Sequence, residues 1–348
     1  MAGSRRRKAI VSVTAAVVVL AGIAGGVVFL GGKAGVGPLA NGDEAGHGGR
    51  SGPPPTCPLT GVDPQGAVPN RPALAVKVEN VPEVRPQTGL SHADIIYEEP
   101  VEAGITRFIA VYQCDDSDKV EPIRSARLTD PPILRQFGHA IFGYAGGVDE
   151  VISAVKKAGL VDVNFIKASA AYHRDPSRPA PHNLYASTED LYGAAHSTEG
   201  APDPVFSFSK TRPKGPKVHE VHLPFSGYSD VYWRWDSSKK VWLRWHGAVP
   251  HTYSDGTQVN VKNVVVMMVK VENTTIHDVN GVVSPEAVTT GSGTVYVFRN
   301  GRMIKGTWSR SSEKDVTVLR DRKGNVIALD PGKTWVELFP NSLTVTAS

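Results

Sequence analysis

The sequence predicts an α+β protein: a mixed N-terminal α/β domain and then a β-rich C-terminal part, with a transmembrane helix and a disordered tether ahead of both. Three observations predict it. The 22 residues from Ala9 to Leu30 carry no charge and follow a basic cluster. Between about 57 and 200, strand patterns are interspersed with a few helical ones. Beyond 201 helix signals nearly vanish and hairpin signals take over. The domain reading is therefore a basic stub (1–8), a membrane span (9–30), a Gly/Pro-rich tether (31–56), a mixed domain (57–200) and a β-rich domain (201–348).

The charges already separate these parts. The chain's 348 residues carry 38 Lys+Arg against 34 Asp+Glu, formally +4 with histidines neutral. Residues 1–56 hold six basic residues (Arg5, Arg6, Arg7, Lys8, Lys33, Arg50) and two acidic ones (Asp43, Glu44), so residues 57–348 balance to zero. A neutral body argues against nucleic-acid binding, which relies on concentrated basic surface. A composition 41% hydrophobic and 21% charged excludes wholesale disorder and a polytopic membrane protein.

As a helix, residues 9–30 would be roughly 33 Å long, enough to cross a hydrocarbon core. The cluster Arg5-Arg6-Arg7-Lys8 holds the N-terminus in the cytoplasm and places the rest outside. The apolar run exceeds the ~7–15 residues of a signal peptide, which favours an uncleaved signal-anchor; Ala34 offers a weak cleavage alternative. The Gly-rich tether, ending in Pro53-Pro54-Pro55, cannot bury a core. Outside the cytoplasm the only cysteines, Cys57 and Cys114, either form a disulfide or remain two free thiols. No clustered Cys/His spacing indicates a metal.

In the mixed domain, Ala73 to Glu79 alternates as a half-buried strand, and Arg85-Pro86-Gln87-Thr88-Gly89 reads as a turn. Ile95 to Glu98, Ile105 to Gln113 and His139 to Ala145 read as strands. Asp130 followed by Pro131-Pro132 starts a helix through Phe137. Asp149 through Ala158 forms a second, stopped by Gly159, and Val161 to Ile166 a further strand. Thr188-Glu189-Asp190 opens a short helix. In the β-rich part, hairpins join Val231–Trp235 to Val241–Trp245, Thr294–Arg299 to Met303–Trp308 through Asn300-Gly301, and Val316–Arg320 to Val326–Leu329. Asn263 to Val271 and Trp335 to Phe339 are strands.

No GxSxG elbow, phosphate-binding GxxxxGK[ST], HExxH or GxGxxG after a strand is present, so no cofactor is predicted. Gly143 to Gly147 lies between a strand and a helix; it reads first as a backbone-geometry turn, with free N–H groups for an anion as the second reading. Glu98, Glu99 and Glu102 surround a strand end near Arg107, Arg124 and Arg127, and His182 and Asn183 sit in a proline-bounded loop. Arginines on rigid loops grip carboxylate or phosphate, and Glu and His supply acid/base or hydroxyl contacts. Arg–Glu ties between strands account for the same residues equally well. Trp233, Trp235, Trp242 and Trp245 suggest an aromatic face, but their mixed parity favours core packing.

Several of these segments, in this order, carry a resemblance: Arg71 to Asn80, Arg85 to Leu90, Ala93 to Glu98, Glu102, Gly104, Thr106 to Phe108, Ile123 to Arg127, and Pro181-His182-Asn183. With Pro58 to Gly61 and Pro331 to Trp335 they resemble the YerB-like bacterial lipoprotein family, a two-part domain of unknown function, over roughly 57–340. The resemblance implies an extracytoplasmic, envelope-attached bacterial protein and no particular reaction. Two positions depart from the pattern. Cys57 lies too far beyond Leu30 to take the place of the family's lipidated cysteine, and Glu121 stands where a glycine usually precedes Pro122.

The expectation is a membrane-anchored protein binding a polar or anionic envelope component, such as a cell-wall glycan. Glu98, Glu102, Arg107, Arg124, Arg127, His182 and Asn183 form its site. The alternatives are a cell-envelope hydrolase using Glu98, Glu102 and His182, and an envelope protein-assembly factor.

Overall fold

A computed structural model describes residues 55–64, 66–278 and 281–348. The predicted stub, the anchor at 9–30 and the tether as far as residue 54 lie outside the described residues. Among the described residues, no helix is long and apolar enough to cross a membrane.

In chain order the mixed part forms β1 (Leu74–Glu79), β2 (Ile95–Pro100), β3 (Thr106–Tyr112), α1 (Asp130–Leu134), β4 (Ile141–Gly143), α2 (Asp149–Lys157), β5 (Val161–Asp162), β6 (His173–Arg174), β7 (Leu184–Tyr185) and α3 (Thr188–Ala195). Then follow β8 (Glu220–Pro224), β9 (Asp230–Asp236), β10 (Val241–His246), β11 (Val249–Pro250), β12 (Asn260–Val261), β13 (Asn263–His277) and β14 (Val283–Val288). The last strands are β15 (Gly291–Arg299), β16 (Arg302–Arg310), β17 (Val318–Asp321), β18 (Thr334–Pro340) and β19 (Thr346–Ala347). The protein is mostly β, with few helices.

The predicted change at 200/201 marks composition, but the main sheet crosses it. Eleven strands run β17-β16-β15-β13-β18-β2-β3-β1-β4-β5, with β14 paired to β13. The junction is β18, which lies parallel to both β13 and β2, pairing Thr334 with Ile95 and Glu337 with Glu98. Near-continuous Val/Leu/Phe in β13 and β18 suits strands covered on both sides. The Asn300-Gly301 turn of β15–β16 has positive φ at both residues (52° and 64°), which a primed two-residue hairpin requires.

β1 is not the half-buried strand its alternation suggests: all six residues are buried. One face of the sheet (Val76, Val78, Ile96, Phe108, Trp335) packs on a second sheet ordered β11-β10-β9-β8-β19, with β12 on β10. The other face (Ala75, Tyr97, Ile109, Val265, Val336) packs on α1 and α2 through Ile133, Leu134, Val151 and Val155. Trp233 and Trp242 fill the space between the sheets, and Trp235 packs against the same core. Cys57 and Cys114 are joined by a disulfide with Cα atoms 6.0 Å apart, which ties the start of the described chain to the residue two beyond β3.

Candidate functional site

The candidate site follows from strand alternation. Successive side chains of β2 point to opposite faces, so Glu98 and Glu99 enter different interiors, both fully buried.

Glu98 faces the second sheet. Its Oε1 accepts from Thr106 Oγ1 (2.7 Å) and its Oε2 from Arg244 Nη2 (2.6 Å) and Trp335 Nε1 (3.2 Å). Arg244 Nη1 donates to His251 Nδ1 and His246 Nε2, each at 2.8 Å. His251 accepts at Nδ1, so its Nε2 carries the proton and donates to Gln87 Oε1 at 2.8 Å. Burial, and then the Arg244 charge, push both histidines down and keep them neutral. Glu337 accepts from Trp233 Nε1 (2.7 Å); burial and the Glu98 charge push it well up, so it holds a proton. The Arg85 to Gly89 motif serves this interior. Gln87 reaches back to the Glu79 carbonyl and Asn80 Oδ1, and Gly89 (φ 87°) lies where a Cβ would meet the Lys119 carbonyl at 2.5 Å.

The opposite face, toward α1 and α2, is also covered but carries most of the predicted arginines. Glu79 on β1, Arg107 on β3 and Glu99 on β2 align as direct cross-strand neighbours. The strap 123–127 crosses them, held by Arg124 N–H to the Lys77 carbonyl and Ala126 N–H to the Gly146 carbonyl, both 2.9 Å. Beneath it Lys77, buried, pairs with Glu99 and with Asp130 (2.6 Å). Burial and the Asp130 charge push Glu99 up, against the pull of Lys77. Arg127 grips both oxygens of Glu102 at 2.5 and 2.7 Å. Burial would raise the Glu102 carboxyl, but hydrogen bonds and charge from Arg127, with help from Ser284 and Arg107, bring it down to about 2. Arg124 Nε donates to Glu79 Oε1, and His182 Nδ1 lies against Glu79 Oε2, each at 2.8 Å.

Arg107 is the exception. Its side chain is 5% exposed, yet its one hydrogen bond runs from Nη1 to the Ser125 carbonyl (3.1 Å). Its Nε is buried without a partner, and it makes no salt bridge among the described residues. The neighbouring carboxylates are engaged elsewhere, Glu79 by Arg124, Glu99 by Lys77 and Glu102 by Arg127. Burial, and then the Arg127 charge, lower Arg107 to about 10. With Arg124, Arg127, Glu102, Ser125 and Gly147-Val148 it lines a cleft of about 340 Å³, rimmed by His277 and Asp278.

The structure thus brings together Glu102, Arg107, Arg124 and Arg127, with His182 joined to them through Glu79. It does not bring Glu98 there: that residue lies across the sheet because it is one position out of phase with Glu99 and Arg107. The facing carboxylates of the hydrolase alternative are therefore not formed. Asn183 turns away, accepting from Arg174 Nη1 (2.8 Å) and donating to the Asp175 carbonyl within the β6–β7 loop. Glu121 turns to Lys119 and Arg178 and does not line the Arg124 cleft. Sequence reasoning missed Glu79, Lys77, Arg244 and Glu337. The available signal was charge inside strands flanked by apolar residues on both sides. No group of His, Cys, Asp and Glu able to hold a metal occurs among the described residues.

Comparisons with known proteins agree with this architecture. Residues 59–201 match the N-terminal domain, and residues 221–336 the C-terminal domain, of the family described as "Protein of unknown function (DUF3048)". The chain is 27% identical over 297 residues to "Putative lipoprotein YerB" of Bacillus subtilis (strain 168), covering 82% of this chain and 86% of that protein. The crystal structure of Bacillus subtilis YerB matches with a TM-score of 0.74 at 25% identity, covering 84% of this chain and 99% of that one.

Proposed function

The chain belongs to the two-part DUF3048 family, and from that premise we propose that it is an envelope-attached binding protein holding an anionic envelope component in the arginine cleft. The observation that carries this reading is Arg107. A buried guanidinium without an anionic partner is costly, and here it faces a cleft shared with two further arginines. A ligand anion supplies the missing partner. Arg124, engaged only through Nε, offers its Nη groups to the same anion, and Arg127 pairs with Glu102, the carboxylate that lines the same cleft.

The basic cluster before residues 9–30 and the lipoprotein description of the Bacillus relative support attachment to the membrane with the body outside. In this protein the span takes the place of the lipid. A mature mass lacking roughly the first 34 residues would overturn that part.

For the binding reading, the full-length protein and an Arg124→Ala variant are incubated with purified wall and lipid fractions. The wild type is expected to be retained on an anionic fraction and the variant released from it. Equal retention of both proteins, or of neither, contradicts the proposal.

A further inference from the structure

We infer that Lys77 and Asp130 become joined by an intramolecular isopeptide bond, with Glu99 as the proton relay. None of the three lines the arginine cleft, so the inference is independent of the anion reading. Lys77 on β1 and Glu99 on β2 share the face that carries Ala75, Tyr97 and Ile109, and Asp130 opens the helix packed on it. All three side chains are fully buried. Lys77 Nζ bonds Glu99 Oε1 and lies 2.6 Å from Asp130 Oδ1. Asp130 Oδ2 accepts from the Arg127 N–H at 2.7 Å. As a resting ion cluster this is poorly matched. One cation faces two carboxylates away from water, a third N–H of an ammonium meets no acceptor among the described residues, and Glu99 Oε2 is buried without a partner. Buried charges are offset only where such groups are satisfied.

As a reactive cluster it is complete. The contact with Oδ1 puts Nζ no more than about 4 Å from the Asp130 Cγ, close to the roughly 3–3.5 Å of a near-attack geometry. The Arg127 N–H is a backbone donor on the oxygen where charge gathers during attack. Burial, and then the Asp130 charge, push Glu99 up toward the range in which a carboxyl takes and returns a proton. The steps balance. One proton passes from Nζ to Asp130 Oδ1 along their hydrogen bond, leaving an amine and a carboxylic acid. The amine lone pair adds to Cγ and forms the C–N bond, with charge gathering on Oδ2. Glu99 takes a second proton from the nitrogen and returns it to Oδ1. The Cγ–Oδ1 bond breaks and that oxygen leaves as water. An ammonium and a carboxylate become an amide and water, Glu99 ends as it began, and no oxidant, reductant or cofactor is needed. The product removes two charges from the interior, which favours it there over the ion pair.

The test is a peptide map of the full-length protein, folded, then denatured, reduced, alkylated and digested with trypsin. An amide on Lys77 blocks cleavage after it, and cleavage after Arg127 and Arg135 releases Asp130 in the peptide 128–135. The expected product is that peptide joined to the one carrying both Lys77 and Glu99, lighter than the two together by one water. Cleavage after Lys77 with every peptide at its sequence mass overturns the proposal. A water lost within the Lys77–Glu99 peptide, with 128–135 free, overturns Asp130 as the acceptor. Glu99→Gln keeps the side chain's size and removes the relay, so its map should show Lys77 cleaved and 128–135 free. A Glu99→Gln map as fully joined as wild type overturns the relay. The wild-type map decides the bond itself even if that variant fails to fold.

Discussion

The two faces of β2 hold polar interiors of opposite character. On the Glu98 side the central pair is closed from within: Arg244 meets Glu98 and two neutral histidines, and Glu337, pushed toward its neutral form, lies in register beside Glu98, while Arg244 Nε has no partner and Arg85 bonds only Asn80. The partners come from β2, β10, β18 and the loops around Gln87 and His251, so the network bolts the two sheets together. On the Glu99 side the pairing is incomplete. Lys77, Arg127 and Arg124 have carboxylate partners, and Arg107 has none. Buried charges have a desolvation cost that only good pairing offsets. One face meets most of that cost internally, and the other leaves Arg107 without a carboxylate bonded to it.

The largest expected effect breaks the closed face. Arg244→Ala strands Glu98 as an unpaired buried carboxylate and should cost about 3–5 kcal/mol, read as a fall in the urea midpoint. A smaller value would mean that water enters between the sheets.

On the Glu99 side, Arg127→Ala removes the group that holds Glu102 near 2 against an ordinary 4.5. The expected loss is about 3 kcal/mol at neutral pH. The depressed folded value means that the wild type keeps this stability above about pH 4.5 and loses it as pH falls toward 2. The variant should lack that portion of the acid titration, and urea midpoints between pH 7 and pH 2.5 measure it.

Glu337→Gln sharpens the contrast further. The raised folded value makes the native state keep a proton that the unfolded chain releases, so wild-type stability falls as pH rises above the unfolded value. The amide keeps a donor and has no proton to lose. Its advantage over wild type should grow with pH by up to about 1.4 kcal/mol per unit, and a pH-independent difference would show that Glu337 ionises in the folded protein.

Much of this was legible in the sequence, and the gaps have physical causes. Hairpins at 231–245 and 294–308, helix α2 and strands β1 to β3 follow from alternation, capping and Asn300-Gly301. The strap 123–127 stood out by its arginines. What could not be read is where the polar face of a strand goes. The Lys77 and Glu79 positions look solvent-facing until the strap and α1 are known to cover them. The closeness of Glu98 to Glu102 and Arg107 in sequence suggested one site, whereas a period of two puts Glu98 on the face opposite Glu99 and Arg107. That β18 joins both halves in one sheet depends on a pairing more than 200 residues apart in sequence, which no local pattern encodes.

The smallest expected change in stability belongs to Arg107, the residue to which the proposed function gives the largest role in binding. If Arg107 serves a ligand rather than the fold, Arg107→Met replaces an unpaired buried cation with an apolar chain of similar reach. The unfolding free energy should then stay within about 1 kcal/mol of wild type or rise. Measuring it together with retention on the anionic envelope fraction, on one preparation of the full-length variant, tests the central claim most directly. The account predicts an intact urea midpoint and lost binding. A midpoint lowered as far as that of Arg244→Ala, or retention on that fraction equal to wild type, would contradict it.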